Sequence, residues 1–108
     1  MKTEKIKCHP VTFGGSIEEG KPYSNFKKKI LRGLKFRVHG KVNLRIELFI
    51  RRDRIRKNRN DLDNFLKPII DAINYKDSID DESMIESIFI KRKEVDKEEG
   101  IVIEINPV

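Results

Sequence analysis

Cysteine is nearly absent: Cys8 is the only one in 108 residues, so an intrachain disulfide and any cysteine-rich zinc site are excluded, and a reducing cytoplasm is the expected setting. Only two histidines occur, His9 and His39. They sit in strand-like and turn-like contexts with no matching pair, and both read as structural. Long apolar runs are missing too, as is a signal-peptide core at the N-terminus, so neither a membrane span nor export is expected. No internal repeat or low-complexity segment is apparent. What remains is one domain by size, residues 1–108, with room for a single core.

Acidic residues are scarce where basic ones are dense. Residues 21–60 carry fifteen Lys and Arg against Glu47 and Asp53, a net of +13, whereas residues 61–108 carry six against thirteen, a net of −7. The whole chain is +6. Such segregation prepares one region to meet a polyanion. The candidate contacts are Lys27, Lys28 and Lys29, with Arg51, Arg52, Arg54, Arg56, Lys57 and Arg59.

The apolar residues fall in periodic runs, which argues against disorder despite the charge. Glu4 to Phe13 reads as an edge strand bulged at His9-Pro10. A Gly14-to-Gly20 loop precedes a first helix marked by Tyr23, Phe26, Ile30 and Leu34. Leu34, Phe36 and Val38 then alternate in an extended connection. Val42, Leu44, Ile46, Leu48 and Ile50 give the clearest strand, with Asn43, Arg45 and Glu47 opposite. A basic loop over 51–60 leads to a second helix, where Leu62, Leu66, Ile69, Ile70 and Ile73 form an apolar stripe. Met84 to Lys93 is an isoleucine-rich strand whose apolar stretch reads as core. After a turn at 96–100, Ile101, Ile103 and Ile105 alternate in the last strand. The order β-α-β-α-β-β predicts an α+β fold with a mixed sheet of about four strands and two helices packed on it.

The second helix carries the chemistry. Asp63, Lys67 and Asp71 follow one another at i+4 steps on its polar face beside Asn64, and Asp61 lies just ahead. Magnesium takes oxygen ligands, commonly one or two carboxylates with water and phosphate oxygens. Asp61-x-Asp63 supplies such a pair, and Asp81 or Asp80 supplies a third carboxylate from the next connection. Lys67 is placed to meet a phosphate. The same residues also read blandly: Asp61 and Asp63 as helix caps, Lys67 as a salt-bridge partner of its i±4 neighbours, Asp80 and Asp81 as turn residues. Both sets of readings stand on the residues alone.

The run Asn60-Asp61-Leu62-Asp63-Asn64-Phe65-Leu66-Lys67-Pro68-Ile69-Ile70-Asp71-Ala72-Ile73, followed by Ile79-Asp80-Asp81 and a strand through Lys91, resembles the RusA family of Holliday junction resolvases. The match in order and spacing covers residues 42–93. DLDN-x-x-K with a D-D pair downstream is far more specific than a lone carboxylate pair. The resemblance implies a homodimeric, bacterial or phage-encoded endonuclease that nicks four-way DNA junctions symmetrically in recombination and repair. It implies magnesium, with manganese as a substitute, and no organic cofactor. Asp61, Asp63 and Asp81 match the metal-binding carboxylates and Lys67 the catalytic lysine, with Asn64, Asp71 and Asp80 in support. Two departures stand out. Asn60 replaces the basic residue that precedes the first aspartate, with Arg59 one step back. His9-Pro10-Val11-Thr12 and Phe13-Gly14-Gly15-Ser16 replace the family's N-terminal loop. The rival readings are a noncatalytic nucleic-acid-binding module, and a nuclease of flap, fork or RNA substrates on the same fold.

Overall fold

The computed structural model describes residues 2–8, 10, 20–53 and 62–108, the side chains of residues 2, 21–23, 63 and 64 excepted. Alternation of apolar and polar residues builds the sheet. Strands β1 (Lys2–Lys7), β2 (Val42–Arg51), β3 (Ile85–Val95) and β4 (Gly100–Pro107) lie in the order β1-β4-β2-β3. The sheet is mixed: β4 runs antiparallel to both β1 and β2, whereas β2 and β3 are parallel. Helices α1 (Gly20–Gly33) and α2 (Leu62–Tyr75) and a single 3-10 turn (Glu82–Met84) complete the described elements. The α+β arrangement expected from the sequence is therefore present.

Register explains the core. Leu44, Ile46 and Leu48 pair with Ile105, Ile103 and Ile101, so one face of the two central strands is continuous branched-aliphatic surface, and all six are buried. Both helices cover this face: Phe26 and Ile30 of α1 join Phe65, Ile69, Ala72 and Ile73 of α2 in the same cluster. The other face is charged and polar. There the Arg45 guanidinium lies 4.6 Å from the Phe89 ring centroid, and Lys93 pairs with Glu47 at 2.7 Å.

Several boundaries and faces differ from the sequence reading. β1 ends at Lys7, short of the Glu4-to-Phe13 strand expected, and residues 11–13 lie outside those described. The buried stripe of α2 is rotated: Phe65, Ile69, Ala72 and Ile73 are fully buried, while Leu62, Leu66 and Ile70 sit half-covered beside the core. A helix laid on a sheet buries a narrow line of contact, and bulk at the stripe's edge remains partly wet. The stretch around Met84 is not core. β3 has only β2 beside it, and Ile88 and Phe89 remain 40% and 48% exposed.

Two connections position the site. The end of α2 closes in a Schellman arrangement: Ser78 N–H donates to the Ile73 carbonyl and Asp77 N–H to that of Asn74, both at 3.1 Å. Asp77 takes the left-handed position, φ 58°, where glycine is usual. Val38 N–H then donates to the Ser78 carbonyl at 2.8 Å, and Val38 and Ile79 form a parallel bridge. The chain before β2 is thereby tied to the chain before β3.

Candidate active site

Asp80 and Asp81 leave the bridge between those two connections in different directions. Asp80 faces the turn before β2. Its Oδ2 accepts the Gly40 N–H at 2.8 Å, and its Oδ1 lies 2.9 Å from His39 Nδ1 and 3.4 Å from an Arg37 nitrogen. Gly40 reaches this carboxylate from a φ of 79°, a conformation glycine adopts without the Cβ clash of other residues. These contacts hold the Asp80 carboxyl below the usual carboxylate range, the Gly40 N–H contributing most, then His39 and Arg37.

Asp81 caps the short turn of residues 82–84 that opens β3. Its Oδ2 accepts from Ser83 Oγ at 2.5 Å and from Ser83 N–H at 3.0 Å. The Ser83 hydroxyl is the main reason its carboxyl is also held low, followed by the Ser83 and Glu82 backbone donors. Asp81 is thus a turn-capping residue. It is exposed and, because its pKa is lowered, ionised at neutral pH.

On α2, Lys67 Nζ lies 3.6 Å from Asp71 Oδ2, so the i,i+4 pair on the polar face forms. The pair is largely open to solvent, and such a pair adds only about 0.3–0.5 kcal/mol. Asp63 and Asn64 belong to the first turn of α2, and Asp61 lies outside the described residues. Pro68 is buried in the helix and leaves it unbroken; its missing N–H removes one bond to the Asn64 carbonyl.

Direction follows from topology. β2 and β3 are parallel and in register, so α2 returns along the sheet between them. Its first turn, with Asp63, lies toward the end of β2, and its last turn toward the start of β3, where Asp81 sits. Fourteen residues rising 1.5 Å each make the helix roughly 20 Å long.

Of the basic residues expected at the polyanion, Lys28 and Lys29 project from α1 into solvent and Lys27 is half-buried. Arg51 and Arg52 are engaged by acids: Arg51 with Asp53 at 3.6 Å, Arg52 with Glu94 at 3.3 Å and Asp96 at 3.7 Å. Arg54, Arg56, Lys57 and Arg59 lie outside the described residues. Sequence reasoning missed the His39–Asp80–Arg37 cluster, because residues forty apart in the chain meet only through the Val38–Ile79 bridge. The one available signal was the isolated turn-type glycine at Gly40.

The donor chemistry suits a hard divalent cation. Asp81 offers an exposed, ionised carboxylate, and Asp61 and Asp63 are oxygen donors of the same kind. Among the described residues no cluster of three His, Cys, Asp or Glu side chains gathers at one point. Also among the described residues, no helix is long and apolar enough to cross a membrane.

The family model of endodeoxyribonuclease RusA matches residues 16–106, nearly the whole chain. No curated protein matches it.

Proposed function

The chain belongs to the RusA endodeoxyribonuclease family, and on that premise we propose that it is a magnesium-dependent nuclease resolving four-way DNA junctions by paired symmetric nicks in recombination and repair. The observation that carries the reading is the family match over 16–106, with Asp81 exposed just ahead of β3. Asp61, Asp63 and Asp81 would hold the metal, which would supply neutralisation of phosphate charge and a more acidic water.

The chain's own residues do the rest. Lys67, one helical turn from Asp71, meets the scissile phosphate and stabilises the charge that grows on its oxygens. Asp71 holds Lys67 in place while the site is empty of DNA. Asp80 fixes the 77–81 turn to Gly40, so that Asp81 meets its ligand from a braced backbone. Ser83 leaves Asp81 charged by donating to one of its oxygens.

Homodimerisation belongs to this reading for two reasons. Nicking two strands across one branch point suits two sites related by a twofold axis. In addition, α2, roughly 20 Å long, separates its first turn, which carries Asp63, from the connection that carries Asp81, so a second copy would supply Asp81 to the site of the first, and the first would return its own. Ile88 and Phe89, exposed on the sheet edge, are apolar surface that such a partner would cover.

The test is incubation of the purified protein with labelled four-way junction, linear duplex, flap and RNA, with and without magnesium. Paired nicks confined to the junction and to magnesium are expected. Cleavage of flap or RNA in preference to the junction would move the substrate, and binding without cleavage under every condition would leave a noncatalytic module.

A further inference from the structure

Four cations surround one concavity at the end of the fold where Asp80 and Asp81 lie. A cleft of about 670 Å³ is lined by Arg32, Lys35, Arg37 and Lys76, with Leu34 and Phe36 as its apolar wall and Asp77 as its only acid among the described residues. Arg32 ends α1, Lys35 and Arg37 lie in the extended connection, and Lys76 follows α2, so three separate segments deliver charge to one place. Arg32, Lys35 and Lys76 are exposed, and none of the three forms an ion pair among the described residues. Elsewhere Lys41 pairs with Glu86 at 3.3 Å and Lys7 with Glu98 at 3.4 Å. Arg37 is already partnered by Asp80, and crowding Arg32, Lys35 and Lys76 beside it around Asp77 is unfavourable until an anion enters. Phe36 is only half-buried and offers the cleft a flat apolar surface.

The cleft is continuous with the candidate active site. Arg37 is shared between them, its guanidinium 3.4 Å from Asp80 Oδ1. It lies just ahead of β2, whereas the basic segment from Arg51 onward leaves the far end of that ten-residue strand, about 30 Å away at strand rise. The two basic regions therefore face different parts of any bound molecule.

We infer that this cleft, formed by Arg32, Lys35, Arg37 and Lys76, is a second nucleic-acid contact that takes the phosphodiester backbone of a DNA arm leading away from the cut. The inference rests on the nuclease reading above. It assigns affinity rather than chemistry to these residues: they hold an arm and leave the hydrolytic step to others.

The experiment is a salt titration of binding to a labelled four-way junction without divalent metal. It compares the wild type with Arg32→Ala/Lys35→Ala/Lys76→Ala and with Lys5→Ala/Lys97→Ala, two exposed cations outside the cleft. Arg37 is left unchanged because it also holds Asp80. For the cleft variant the slope of log affinity against log salt should flatten by about 2 to 3, since each phosphate that is no longer neutralised reduces it by about 0.9. Affinity near 0.1 M salt should fall at least about tenfold, while cleavage by saturating protein with magnesium stays at the wild-type rate. The Lys5/Lys97 variant should keep the wild-type slope. An unchanged slope in the cleft variant, or equal flattening in both variants, would overturn the inference. If the wild type binds and cuts junctions while the cleft variant behaves normally, only this inference fails; a wild type that does not bind junctions removes the nuclease reading itself.

Discussion

Gly40→Ala isolates the joint that braces the site. Gly40 has φ 79°, and a Cβ placed there meets no heavy atom within 4 Å. Steric clash with neighbours therefore contributes nothing, and the cost is the local strain of an L-residue in the left-handed region, about 1–2 kcal/mol. At about 4–8 °C of melting temperature per kcal/mol for a domain near this size, Gly40→Ala should melt roughly 4–16 °C below wild type. Asparagine tolerates this region better, so Gly40→Asn should lose less. A second readout tracks the hydrogen bond itself. Strain relieved by turning the peptide takes the N–H away from Asp80 Oδ2, and the Asp80 carboxyl, followed by NMR, should move up toward the ordinary carboxylate value. Because Asp80 and Asp81 are both held low, their contribution to stability is complete above the unfolded-state pKa near 3.9 and is lost as pH falls through the lower folded values. The wild type should therefore outlast Gly40→Ala by the widest margin at neutral pH, with the gap narrowing in acid. A Gly40→Ala protein that melts at or above wild type, with the Asp80 carboxyl unmoved, would refute the reasoning.

Asp77→Gly and Ser78→Ala should each raise the melting temperature in a thermal scan. Asp77 stands at a left-handed position that glycine occupies without strain, and Ser78 Oγ is buried with no hydrogen-bond partner among the described residues, so removing it relieves an unmet desolvation cost. Cys8 should resist alkylation at pH 8 in the folded protein and react on unfolding. Its thiol is pushed up to about 12, first by burial, then by Glu99, with Lys29 opposing, and thiolate is the reactive form. An equal mixture of Asp63→Asn and Asp81→Asn proteins, each inactive alone, should regain nicking of junctions, because mixed dimers then hold one site built from two intact halves; a mixture as inactive as its components would place all three carboxylates within one protomer.

The central strand was legible because β2 is covered on one face only: period-two alternation from Val42 to Ile50 maps directly onto burial. The first helix and last strand were legible for the same reason. β3 misled because isoleucine at a sheet edge looks like isoleucine in a core; its exposure depends on β2 being its sole neighbour, and strand order is not encoded locally. Phe65 and Ala72 were missed on α2 because Leu62, Leu66 and Ile70 offer an equally regular apolar line, and the sheet's position decides which line is buried. Asp63, Lys67 and Asp71 needed only helical spacing to be placed on one face, and the Lys67–Asp71 pair follows from it. The Asp80 cluster and the cleft at Arg32, Lys35 and Lys76 depend on the Val38–Ile79 bridge, a long-range pairing of two short segments that carries no periodic signal.

The most direct test of the nuclease reading is cleavage and gel shift on one set of preparations of wild type, Asp63→Asn and Asp81→Asn, with circular dichroism to verify folding. Asparagine keeps the oxygen that a helix or turn cap requires and loses the negative charge that a magnesium ligand requires. Both variants should fold, bind four-way junction at least as tightly as wild type because a carboxylate repelling phosphate is gone, and lose magnesium-dependent cleavage by orders of magnitude. Near-normal cleavage by both would contradict the account and return these aspartates to capping alone.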